Sequence, residues 1–243
     1  MLFKKKYDLI FGIGEACSCS QILRKCHLQF FSYPYDWLYG SDILKRAQIL
    51  ANNYKDFLEF DDLEDAHFTN NDKHNLCEVY HNKNNGICFN HDFAYEKPLS
   101  ETFDKVKEKY DRRIKRQLDQ IEKSNNILVV YIQTPNNTNP IDDSILEETQ
   151  KTLQSRFPKQ RIMLLYLFCN HENKTITQEK VSDNIFKAYF DYDAYNRDFP
   201  YEVNRQILQK LFCKLKITTK FMTPTNLYKR CVYIIKCFFR GLL

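Results

Sequence analysis

Three observations predict an α/β fold, a single domain with a mixed, largely parallel sheet flanked by helices. The chain opens with an apolar run that ends in a glycine turn and leads into a helical segment, "KYDLIFGIG" followed by "CSCSQILRKC". Farther on, two apolar runs, "NILVVYIQ" and "RIMLLYLFCN", bracket a helical segment. A strand that is apolar at every position is buried on both faces, and a helix between two such strands makes them parallel. With 243 residues, 43% hydrophobic and 15% aromatic, the chain can bury a full core, which excludes a disordered protein.

Taken in order, the first strand and helix lie within residues 6–26. A second helical region is expected over "DILKRAQILANNYKDFLEF", from Asp42 to Phe60. Residues 61–85 are polar and His-rich and read as loop, with one strand at "LCEVYH". A long helix is predicted from Ser100 to Lys123, because Phe103, Val106, Tyr110, Ile114, Leu118 and Ile121 recur at helical spacing. Strand, helix and strand follow over residues 126–133, 141–157 and 161–170. "NIFKAYFDY" adds a strand and "YEVNRQILQKLFCKL" a helix. The domain is read as residues 1–225, with residues 226–243 a separate C-terminal helix.

Charge and cysteine usage narrow the function classes. Thirty-six Lys and Arg against 31 Asp and Glu give a net charge of +5, too weak to point to nucleic acid. Nine cysteines form no disulfide-like framework, the N-terminus lacks the pattern of a secretory signal, and no apolar run is long enough to span a bilayer. These features predict a cytoplasmic protein.

The chemistry concentrates near Cys17. A cysteine in the first turn of a helix sits where unpaired N–H groups and the helix dipole favour its thiolate. Cys19, two residues farther on, points to another side. The competing view of both is that of small buried apolar residues.

Several motifs sharpen the choice. Gly14-Glu15-Ala16-Cys17, "ILRK" from Ile22, "FFSYPYDWL" from Phe30, "FNHDF" from Phe89 and "KYDRRIKR" from Lys109 occur in that order over about half the chain. This ordered set resembles an uncharacterised family of papain-like cysteine peptidases. The resemblance implies that Cys17 is the nucleophile and His91 the base, and admits a papain-like α+β fold as the alternative to the parallel sheet. A thiol attacking a carbonyl needs an imidazole to take its proton and return it to the leaving group. For the group that would orient His91, Asp36 is preferred to the adjacent Asp92, and Gln133 is a third candidate. Asp36 also suits a turn or helix-cap role after Pro34. Arg112, Arg113 and Trp37 are the candidates for substrate binding, although Trp37 suits the core better than a site and the arginines also suit a solvated basic face.

Two rival sites rank lower. "GIGEAC" has the first two glycines of a dinucleotide fingerprint, but Cys17 stands where the third would be. His74, Cys77, His81, Cys88 and His91 include zinc-ligand types at a spacing of no recognised module, so neither metal nor cofactor is expected.

Three functional classes follow. The first is a cysteine-dependent hydrolase or acyl-type transferase. The second is a glycosyl- or phosphate-group transferase of polysaccharide assembly without a nucleophilic cysteine; here the resemblance, through relatives among glycan-assembly genes, implies a glycan or lipid-linked substrate. The third is a non-catalytic interaction protein at a membrane. In "NLYKRCVYIIKCFFRGLL", Tyr228, Cys231, Val232, Ile235, Phe238, Phe239 and Leu242 share one helical face, with Lys229, Lys236 and Arg240 on the other. That pattern suits either an anionic membrane at the inner surface or a helix docked on protein.

Overall fold

The computed structural model describes residues 2, 5–72, 75–133, 139–169, 176–190 and 205–242. Its central sheet has the order β2-β7-β8-β10-β9. Strands β2 (Leu9–Gly12), β7 (Asn126–Ile132), β8 (Arg161–Cys169) and β10 (Ile185–Phe190) are parallel, and β9 (Thr177–Lys180) closes one edge antiparallel to β10. The continuous apolar runs have a simple cause. Val129, Tyr131, Leu164 and Tyr166 enter one core, whereas Leu128, Val130, Leu165 and Leu167 enter another on the opposite face. Side chains alternate along a strand, so a sheet covered on both faces needs apolar residues at every position.

Helix α1 (Cys17–Lys25) covers one face together with α5 (Arg205–Phe212) and α6 (Pro224–Phe239). The other face packs against α2 (Ile43–Ala51), α3 (Leu99–Glu122) and α4 (Asp143–Arg156). A two-stranded parallel pair, β1 (Lys6–Tyr7) with β11 (Lys216–Ile217), ties the two ends of the described chain.

A second sheet has no parallel strand. Strands β3 (Leu38–Gly40), β6 (Ile87–Ala94), β5 (Asn75–Asn82) and β4 (Leu63–Asp72) form an antiparallel sheet in that order. Its inner face joins the first core through Phe89, whose ring meets Phe57 at 5.9 Å and Tyr110 of α3 at 5.5 Å. The molecule therefore combines the expected parallel sheet with an antiparallel one.

Two sequence expectations are corrected. Within residues 61–85, β4 and β5 are paired antiparallel strands where mainly loop was expected; the ladder breaks between Asp65 and Thr69, where His67 takes φ 57°, so alternation is lost. The helix predicted from Asp42 to Phe60 stops at Ala51. Asn53 turns left-handed at φ 56°, while Tyr54 N–H donates to Ile49 O and Asn53 N–H to Leu50 O, capping the last carbonyls. Tyr54, Phe57 and Leu58 still reach the core, so their helical spacing reflects burial from turns.

Candidate active site

Cys17 is the first residue of α1, half-buried, at the carboxyl end of β2. In α/β sheets this edge is where strand-to-helix turns gather polar groups. The first turn of α1 holds no acidic residue to offset the positive end of the helix. The glycines before it have a packing reason. A Cβ on Gly12 would lie 2.7 Å from Cys19 Sγ, and one on Gly14 would lie 2.5 Å from Cys19 Cβ and 3.1 Å from Ile132 N. The Gly-Ile-Gly turn thus lets α1 settle on β2 and β7 over Cys19. Cys19 donates to Val130 O at 3.4 Å, and burial pushes its thiol up to about 12. The two nearby cysteines occupy opposite environments.

The turn before Cys17 is fastened by Arg46, a residue the sequence reading did not single out. Arg46 is fully buried on α2. Its guanidinium donates to Gly14 O and to Glu15 O on one side, and to Gly40 O and Leu38 O on the other, with its plane over the Tyr35 ring at 5.0 Å. Burial lowers its pKa, opposed by the nearby Tyr131, Tyr35 and Glu15. One signal for it lay in the sequence: Arg46 stands inside the apolar spacing Ile43, Ala47, Leu50, where an exposed charge would not be placed. Beside this turn a cavity of about 240 Å³ is lined by Glu15, Tyr39, Gly40, Ser41 and Asp42.

The Pro34–Trp37 turn is held against α1. Ser20 Oγ donates to Asp36 O at 2.7 Å. The Asp36 carboxylate is almost wholly buried, pairs with Arg24 at 2.7 Å, and accepts from Gln29 Nε2 at 2.8 Å and Tyr33 N–H at 3.0 Å. Burial raises the Asp36 carboxyl above the usual range, against the opposing pull of Arg24 and Gln29. These bonds give Asp36 a definite structural task, closing the turn that carries Trp37.

His91 lies on β6 where two residues too many stand between Phe89 and Phe93 opposite Tyr80 and Glu78. Such bulges re-aim side chains. The His91 ring meets half-buried Trp37 edge-on, with centroids 6.4 Å apart. Asp92 turns to α3 instead, accepting from Tyr110 Oη at 2.7 Å and from Lys109. The Trp37 turn, fixed to α1, is thus in contact with the strand that carries His91.

The other expected residues are also placed. Arg112 bonds Glu108 at 2.6 Å on the exposed side of α3, at the rim of a cavity of about 360 Å³ that includes Asp92, Lys105 and Lys109. Arg113 lies over the Tyr110 ring at 5.2 Å, and its Nη1 is buried without a hydrogen-bond partner among the described residues. Gln133, at the end of β7, donates to Asn139 O at 2.7 Å and accepts from Tyr166 Oη. Among the described residues no group of three His, Cys, Asp or Glu is placed to hold a metal ion; His74 lies outside them.

The fold and this edge define an α/β protein with a half-buried cysteine heading the helix after its first central-sheet strand. The chain belongs to the family described as "Putative papain-like cysteine peptidase (DUF1796)", whose model matches residues 8–172. That description fits a cysteine hydrolase. The chain is also 26% identical over 208 residues to uncharacterized protein R408 of Acanthamoeba polyphaga mimivirus, covering 77% of this chain and 91% of that one. No solved structure matches.

Proposed function

We propose that the protein is a cysteine hydrolase in which Cys17 attacks a carbonyl carbon and His91 moves the proton. The observation that carries this reading is the position of Cys17, first in α1 at the carboxyl edge of the parallel sheet, in a chain of this family. His91 takes the thiol proton as sulfur bonds to the carbonyl carbon. Collapse of the tetrahedral intermediate breaks the bond to the leaving amine or alcohol, which receives that proton and leaves a thioester. Water then attacks the thioester carbon, His91 takes its proton, and the thiolate departs and is reprotonated. The helix N-terminus favours both the thiolate and the developing oxyanion. Trp37 supports the imidazole and lines the approach, and Arg46 keeps the Gly14–Glu15 turn in register. No observation favours group transfer to a sugar or phosphate, so water is the acceptor in this reading.

Alkylation tests it without a known substrate. With limiting iodoacetamide at pH 7 and peptide mapping, Cys17 is expected to label at least about tenfold faster than the exposed Cys231, because a helix N-terminus and a proton-accepting imidazole favour the thiolate form. Cys19, with its thiol near 12, is expected to stay unlabelled. His91→Gln should slow Cys17 and leave Cys231 unchanged. Equal rates at Cys17 and Cys231, or no effect of His91→Gln, would reject the proposal.

A further inference from the structure

The C-terminal helix α6 is fixed to the domain by one face only. Arg230 is buried and donates to Cys26 O at 2.6 Å and to Leu215 O at 2.8 Å, and Tyr233 and Cys237 are buried beside it. At the end of the helix Gly241 takes φ 63° and Leu242 N–H bonds back to Cys237 O, which folds Leu242 into the core. Leu242 is therefore removed from the apolar stripe that its spacing predicted. Val232 is half-buried, and the aromatic and aliphatic bulk of that stripe faces outward: Tyr228 is 70% exposed, Ile235 55%, Phe238 69% and Phe239 81%. Rotating α6 to hide it would strip Arg230 of its carbonyl partners.

We propose that this outward face of α6 docks on an anionic lipid bilayer, lying in the headgroup region with its aromatic residues inserted. Charge decides for this occupant. From Val203 to the last residue the chain carries nine Lys and Arg and no Asp or Glu, against 27 Lys and Arg and 31 Asp and Glu before it. The net positive charge of a mildly basic protein thus falls in its C-terminal segment, and Lys229, Lys236 and Arg240 put three exposed cations of it on α6 itself. Lys229, Lys236 and Arg240 are exposed and recur at i, i+7 and i+11, which sets them in a row between the docked face and the aromatic stripe. The local field is already felt by His27 beneath the helix, whose pKa is lowered by burial and then by Arg230, Lys229 and Lys236. An apolar ridge edged by cations suits an anionic membrane surface. A second copy fits less well, because isologous pairing of this face would bring two cationic rows together. Among the described residues no helix is long and apolar enough to cross a membrane, so the contact is peripheral.

Vesicle flotation of the full chain tests the proposal with phosphatidylcholine alone and with about 30% phosphatidylserine added. The protein should float with the anionic vesicles at low salt, lose most of that binding in 0.5 M NaCl, and fail to float with neutral ones. The triple variant Lys229→Gln, Lys236→Gln, Arg240→Gln should weaken partition on the order of 100-fold. Phe238→Ser with Phe239→Ser should also abolish it, and both variants should melt as the unchanged protein does, since these side chains are exposed. Absence of flotation with anionic vesicles, equal flotation of either variant, or equal flotation on neutral vesicles would overturn the proposal. So would a dimer in light scattering that the Phe238/Phe239 variant dissolves while no vesicle binding is seen. Cys17 labelling takes no part in this readout, so the two proposals fail separately.

Discussion

The two sheets make an instructive pair because each presents one residue of the proposed Cys17–His91 pair by a different device. The parallel sheet is buried on both faces and presents Cys17 through a regular strand-to-helix turn whose glycines exist for packing over Cys19. The antiparallel sheet is buried on one face and presents His91 through an irregularity, the break in pairing between Phe89 and Phe93. Regular structure thus places the thiol, and a local departure from regularity places the imidazole. The two are joined by buried polar contacts: Arg46 grips both the Gly14–Glu15 turn and the end of β3, and the Arg24–Asp36–Gln29 group secures the Trp37 turn to α1.

Breaking the seam should have the largest effect. Arg46→Met keeps an unbranched stem but leaves buried carbonyls of both sheets without a donor, at a cost of about 3–5 kcal/mol. Thermal melting should fall by roughly 10 °C for a chain of this size, and the labelling advantage of Cys17 should shrink as its turn loosens. A melting point within about 2 °C of the parent would deny Arg46 its role.

Next comes the parallel side. Gly14→Ala puts a methyl group against Cys19 and the Ile132 backbone, a clash that α1 can relieve only by moving off the sheet, costing about 1–3 kcal/mol. Pairing it with Cys19→Ala removes only the Sγ contact at 3.0 Å and leaves the nearer Cβ contact at 2.5 Å, so a small part of the loss should be recovered. Denaturant unfolding of the two single variants and the double gives the coupling, and strict additivity would contradict the packing account.

The smallest change is expected on the antiparallel side. Asp92→Asn weakens the acceptor for Tyr110 and Lys109 and should cost about 1–2 kcal/mol. Because Asp92 is turned to α3, the rate of Cys17 alkylation at fixed pH should not change. A slowed Cys17 in a normally folded Asp92→Asn protein would mean that Asp92 serves the imidazole after all.

How far the sequence could be read follows the same division. The strands of the parallel sheet were legible because burial on both faces writes an unbroken apolar run, and α3 was legible from its helical stripe. Residues 61–85 were not, since a strand with one wet face and a broken register shows neither pattern. Cys17 and His91 were singled out by the order of motifs around them, and their role is the proposal made above. For Arg46 the apolar spacing around it hinted at burial, but its task was not legible, because the Gly14, Glu15, Leu38 and Gly40 carbonyls that it serves come from other segments.

By itself the sequence determined the α/β class, the position of Cys17 at a helix start and the unequal spread of charge, all of which depend on neighbours within a few turns of chain. Tertiary structure alone decided that Cys19 is sealed beneath two glycines, that Asp36 is committed to Arg24 and Gln29, that Asp92 turns from His91, and that the aromatic stripe of α6 faces outward while Arg230 is buried. Each of these is set by a partner that is distant in sequence or by which face of an element meets the core. A buried polar group keeps its position only when such partners satisfy it, and local spacing carries no information about who they are.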